Sequence, residues 1–209
     1  SQLRLLCLHP EENTTLADAN AYSECFYVEV FAKKMKQEAI DDRKANDASG
    51  ASAIGKISIL LTGDVEGEGE QQLTQKLQAL QELQSLQESR SLQESQSLQE
   101  SRPLQESWSL QLTRRLQEQR GQREFRVDLL KVAHHGSGYS TGTEFLATAS
   151  PATAIISCGR NNSYGHPHVE TLQRLEDARV PWYGTMDYGA LTVNVDSPGN
   201  RLRGYLRRK

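Results

Sequence analysis

The stretch VDLLKVAHHGSGYS, residues 127–140, runs from an apolar segment into two adjacent histidines and then into glycine and serine. A short apolar run bounded by Gly and Ser reads as a buried strand. The chain has only five histidines, and two of them stand together where this strand ends. Adjacent strand residues face opposite sides, so one imidazole is expected to turn inward as a ligand while the other takes a supporting or loop role.

Strands and helices alternate outward from that point. Downstream, TGTEFLATA reads as a short helix, ATAIISC as a strand and HVETLQRLEDARV as an amphipathic helix, with PWYGT and ALTVNV as a closing, hairpin-like pair of strands. Upstream, ISILLTGD (57–64) is a strand, and LRLLCL and CFYVEVF within residues 1–31 are two more, separated by a polar turn. Such alternation predicts an α/β fold of sheets flanked by helices.

Two segments interrupt the pattern. Residues 33–56 are charged and then rich in small residues, which predicts a loop between strands. From 71 to 123 the composition collapses to Leu, Gln, Glu, Ser and Arg around a hexapeptide, SLQESR, SLQESQ, SLQESR and PLQESW. Leucines six apart advance about 600° around a helix, so they land about 120° from one another and make no stripe. A coiled-coil seam needs a repeat of about 3.5. The segment is therefore expected to be an insertion, helical in part or disordered, that carries no chemistry, with partner binding as the alternative. It divides a domain of two parts, 1–70 and 124–209.

Composition limits the partners. The 209 residues carry a formal net charge of −3, and the sequence pI is about 6.0, so no global basic field argues for nucleic acid. The basic tail RLRGYLRRK reads as a solvated or frayed terminus rather than a phosphate-binding arm. Cys7, Cys25 and Cys158 are odd in number and far apart, and read as small buried apolar residues. No apolar run approaches the roughly 18 to 20 residues of a membrane span, and the first residues do not read as a signal peptide. The start at Ser1 suggests processing or truncation.

Polar residues at element ends give a candidate site. Asp64 closes ISILLTGD, His134 and His135 close LLKVA, and His166 stands in NNSYGHPH just before Pro167, which suits the first turn of a helix. Taken alone, Asp64 is equally a turn or cap residue, and a lone histidine at a strand end is ordinarily structural. Together they match a metal site built from loops at one sheet edge. His168 is not expected to join His166 in chelation, because side chains two apart on a helix diverge.

ILLTGDVE, LLKVAHHGSGYSTGTEFL, AIISCGRNNSYGHPHVETLQRL and YGTMDYGALTV together resemble the C-terminal half of the metallo-β-lactamase-type domain of ComEC competence proteins and their stand-alone bacterial relatives, and NAYSECFYVEV resembles the strand before the family's TGD. The resemblance covers residues 1–31, 57–70 and 124–196 in the family's order. It implies an αββα sandwich, two mixed sheets face to face, with a site at one edge for two divalent ions, zinc or manganese. It implies that Asp64 bridges the ions, that His134 ligates one with His135 also a candidate, that His166 lies close to substrate or catalytic water, and that Asn162 supports its loop. The implied activity is metal-dependent hydrolysis, phosphodiester cleavage with DNA as substrate in DNA uptake. A non-catalytic scaffold and a hydrolase of small esters are the alternatives. The family's HxHxDH motif and a further histidine are absent from this sequence, so the missing N-terminal half of the domain would have to supply them, and a full-length ComEC-type protein would be membrane-attached.

Overall fold

A computed structural model describes residues 2–10, 15–16, 18–32, 55–99, 127–196 and 199–204. Alternating apolar and β-branched residues build β1 (Gln2–His9), β2 (Cys25–Ala32) and β3 (Gly55–Leu61) into an antiparallel meander. The shorter, more continuously apolar strands β4 (Leu129–Lys131), β5 (Thr153–Ile156) and β6 (Trp182–Gly184) extend the sheet in parallel from β3, giving the spatial order β1 to β6. Parallel strands are covered on both faces, and Leu130, Ala154 and Ile156 are fully buried. A separate hairpin of β7 (Leu191–Asp196) and β8 (Gly199–Gly204) lies with β7 against β2 and β3.

Among the described residues four α-helices complete this α/β architecture: α1 (Gly67–Gln99), α2 (Thr143–Ala149), α3 (Val169–Asp177) and the single turn α4 (Thr185–Tyr188). α1 connects β3 toward β4. Leu73, Leu77 and Leu80 recur at helical spacing on one stripe, and the first two are fully buried in the core with Leu60, Leu130 and Phe145. The segment beginning at residue 71 thus starts as part of the core, whereas Leu83 and Leu86 stand exposed. The hexapeptides are helical through Gln99, and the rest of the repeat, like residues 33–54 of the expected loop, lies outside the described residues.

Three local expectations change. PWYGT and ALTVNV do not pair with each other: β6 joins the main sheet and β7 pairs with β8. The start of the basic tail is therefore a strand, with Arg203 opposite Thr192, and not a frayed end. Cys25 is buried, with its thiol pushed up to about 12 by burial, whereas Cys7 is exposed on the edge strand.

β1 leaves one sheet edge open, together with its own part of one face. Its residues Leu3, Leu5 and Cys7 share a face with Val30, Val28 and Phe26 of β2, and that face continues across β3 through Ile57, Ile59 and Leu61. Every one of these nine side chains is apolar, and Val28 and Ile57 are buried, yet Leu3 is 65% and Leu5 58% exposed. No helix of the described residues is long and apolar enough to cross a membrane.

Candidate functional site at the ends of the parallel strands

The polypeptide leaves β3 through Thr62, Gly63 and Asp64. Gly63 has φ +53°, and a Cβ there would press on the Glu24 carbonyl and the Ser23 side chain, so the turn that presents Asp64 needs glycine. This turn is clipped to the end of β4. The Gly63 carbonyl accepts from the His134 amide (3.0 Å) and from Lys131 Nζ (3.0 Å), and Thr62 Oγ1 donates to the Lys131 carbonyl (2.6 Å). Burial lowers the Lys131 pKa, opposed by the Asp64 carboxylate and then by Cys25.

The histidine pair does not continue the strand. β4 stops at Lys131, and His134 and His135 occupy left-handed backbone (φ 43° and 55°) ahead of Gly136 (φ 85°). Each non-glycine residue held there costs about 1–2 kcal/mol, and such strain concentrates at functional sites. The alternation argument for one inward and one outward imidazole therefore does not apply, and both rings stay on the same loop, their centroids 6.2 Å apart. A Cβ at position 136 would collide with Pro167, which is how the histidine turn and the NNSYGHP loop come together.

The two imidazoles have different partners. His135 Nδ1 meets the Ser157 carbonyl (2.5 Å), which requires Nδ1–H and leaves the Nε2 lone pair toward Asp64, 3.8 Å from Oδ1. His134 Nδ1 is 2.9 Å from Glu66 Oε1. That pair has contact distance without hydrogen-bond alignment, and among the described residues both atoms are buried with no hydrogen-bond partner.

His166 lies over this pair. Asn162 holds its backbone by accepting from the His166 amide (2.9 Å) and donating to its carbonyl (2.6 Å), as expected of a loop-supporting residue. The His166 ring stacks on His135 (centroids 6.2 Å, 19° between planes) and on Tyr164 (5.8 Å, 25°), with His134 edge-on at 5.6 Å. Burial, then the neighbouring His168, His134 and His135, hold the His166 pKa below its ordinary value, with Glu66 acting the other way.

Pro167 does not begin a helix: His168 is the extended N-cap and α3 starts at Val169. The His166 and His168 rings consequently approach to 4.9 Å rather than diverging. His168 still makes a poor ligand, because both its nitrogens are engaged: Nδ1 accepts from the Gly138 amide (2.9 Å) and Nε2 faces the Tyr164 carbonyl (3.1 Å). Its imidazole ties the two loops of the site together.

Residues that the sequence did not single out hold this arrangement. Arg174 of α3 donates to the carbonyls of Gly138, Ser140 and Thr141, at 2.8–3.0 Å, and Thr171 Oγ1 donates to the Ser137 carbonyl. From the opposite side the Glu70 carboxylate accepts the amides of Thr141 and Gly142. Burial pushes the Glu70 carboxyl up against these amides and Arg174. Nothing in QRLED distinguishes Arg174 from a surface arginine, whereas Glu66 and Glu70 stand in the acidic turn after TGD, where a signal was present. A groove of about 420 Å³ between the starts of α1 and α2, lined by Glu70, Thr74, Tyr139 and Phe145 among others, includes none of the histidines.

Asp64, His134, His135 and His166 thus gather at one edge of the sheet, on loops that follow β3, β4 and β5. Their fit to a metal centre is partial. Among the described residues no three His, Cys, Asp or Glu side chains are grouped to hold an ion. Asp64 with His135 offers two donors, and a zinc site needs at least three from the protein.

No family model matches the chain, and no solved structure does. Curated proteins similar to parts of it are ComE operon protein 3 of Bacillus subtilis strain 168, 48% identical over 83 residues, covering 34% of this chain and 11% of that protein; Recombination protein 2 of Haemophilus influenzae, 38% identical over 69 residues, 33% of this chain and 9% of that protein; and the uncharacterized protein YcaI of Escherichia coli K12, 28% identical over 80 residues, 38% of this chain and 11% of that protein. The chain spans about a tenth of the length of these relatives.

Proposed function

We propose that this chain is the C-terminal part of a metallo-β-lactamase-type hydrolase domain from a ComEC-like competence protein, cleaving phosphodiesters during DNA uptake. The observation that carries the reading is the approach of His135 Nε2 to Asp64 Oδ1, 3.8 Å, from a strained histidine turn and a glycine turn at adjacent parallel strand ends. The similarity to ComE operon protein 3 and Recombination protein 2 supports the competence context.

In this reading Asp64, His134 and His135 are one wall of the site, and the remaining donors come from an N-terminal half carrying HxHxDH. That half would bring further strands over the β1 end of the apolar face of β1 to β3, beside the β7–β8 hairpin that lies against β2 and β3, so that Leu3 and Leu5 are covered. His166, held neutral near pH 7 by its depressed pKa, would sit beside the scissile group as a hydrogen-bonding or proton-accepting imidazole.

The test is to read the coding DNA upstream of Ser1. An in-frame HxHxDH followed by another histidine is the expected result, and the extended protein should cleave a model phosphodiester in preference to a carboxyl ester. A stop codon or unrelated sequence there would overturn the reading in favour of a non-catalytic scaffold.

A further inference from the structure

The aromatic side chains beside the histidines are displayed in a way that the proposed chemistry does not use. Tyr139 is 86% and Tyr164 77% exposed, more than any other large apolar or aromatic side chain among the described residues. Neither rides on loose chain. Tyr139 follows Gly138, whose amide is bonded to His168 Nδ1 and whose carbonyl accepts from Arg174. The Tyr164 carbonyl faces the other nitrogen of the same imidazole, and Asn162 pins the backbone two residues further on. Holding two large rings in water on fixed backbone forgoes burial that a packed tyrosine would gain, and exposure of this kind marks binding surface.

The orientation of Tyr164 identifies what would bind. The Tyr164 ring is nearly parallel to His166 (centroids 5.8 Å, 25°), which is in turn nearly parallel to His135 (6.2 Å, 19°), and His135 stands beside Asp64. At 77% exposure the Tyr164 ring is open to solvent. A flat heteroaromatic ring laid on it would keep its attached phosphate close to the histidines. We propose that Tyr164 is a stacking platform for unpaired nucleobases, so that the site takes single-stranded nucleic acid rather than phosphodiesters at large. This rests on the phosphodiester reading and adds the recognition of the base. A paired base offers no free face, whereas an unpaired one stacks on an aromatic side chain whatever its identity.

The test uses the chain with a short fluorescein-labelled oligothymidylate and a strand of equal length made of abasic sites, followed by fluorescence anisotropy at low salt. The base-bearing strand is expected to bind more tightly than the abasic one by about 5- to 150-fold, the range of a single stacked base. Tyr164→Ala should remove that advantage, Tyr139→Ala, in the groove away from the histidines, should leave it unchanged, and Tyr164→Phe, which keeps the ring, should stay within about twofold of the native chain. Both side chains are exposed, so circular dichroism should show the variants folded. Equal binding of the two strands, or an unaltered preference in Tyr164→Ala, overturns the platform and leaves the phosphodiester reading standing. No binding of either strand by the native chain or by the upstream-extended protein overturns both.

Discussion

His135 directs Nε2 at the Asp64 carboxylate, 3.8 Å away, while the Ser157 carbonyl holds its other nitrogen. A backbone acceptor on one side of an imidazole fixes the tautomer and frees the opposite nitrogen, the arrangement typical of a histidine that ligates a metal. His134, with Nδ1 against Glu66, lacks that orientation toward Asp64.

Asp64→Asn and His135→Ala are each expected to weaken Zn²⁺ or Mn²⁺ binding in the upstream-extended protein by about tenfold or more, measured by calorimetry. His134→Ala should abolish metal-dependent phosphodiester cleavage in the same protein. A variant that binds and cleaves like the native protein removes the metal reading of that residue.

Arg174→Met should destabilise the fold by about 2–4 kcal/mol in urea unfolding, because three loop carbonyls lose a charged donor. Amide exchange should rise across residues 137–142. Arg174→Lys should recover only part of the loss, since an ammonium lacks the planar fork that reaches several carbonyls together.

His166 should titrate below the ordinary histidine value of about 6.5 in an NMR pH series. Because the unfolded chain takes up this proton first as pH falls, the stability linked to His166 is fully present above about 6.5 and is lost as pH drops from there through the lower folded value. Glu66→Gln should move the midpoint lower still, since Glu66 acts to raise it. A midpoint at or above the ordinary value would contradict the burial assigned to this ring.

Leu73→Ala and Leu77→Ala should each cost about 2–5 kcal/mol as fully buried leucines. Leu86→Ala, at a position 59% exposed, should change stability by less than about 0.5 kcal/mol. Equal effects at the three positions would mean that the core does not end where α1 emerges from it.

The α/β alternation and the convergence of Asp64, His134, His135 and His166 were legible because apolar periodicity places strand ends, and strand ends gather at one sheet edge. The backbone of the histidine pair was not, since two successive left-handed residues with side chains contradict what a strand ending in HHG predicts. The same holds for His168. A proline after His166 reads as a helix start, and only the close packing of Pro167 over Gly136 shows that the helix begins two residues later. The contribution of α1 to the core was hidden for another reason. A segment of low complexity is read as one unit, although its first turns, with leucines at 73, 77 and 80, follow helical spacing and the hexapeptides after them do not.

The division within α1 also bears on how this gene can vary. Loss or gain of a whole hexapeptide keeps the reading frame. β3 and β4 are hydrogen-bonded neighbours, Ile59 opposite Leu129, and the hexapeptides begin beyond the last turn of α1 that is anchored in the core. Whole hexapeptides added or removed there leave the anchored turns of α1 and the pairing of β3 with β4 untouched, so Asp64 should stand against His135 in the same way whatever their number.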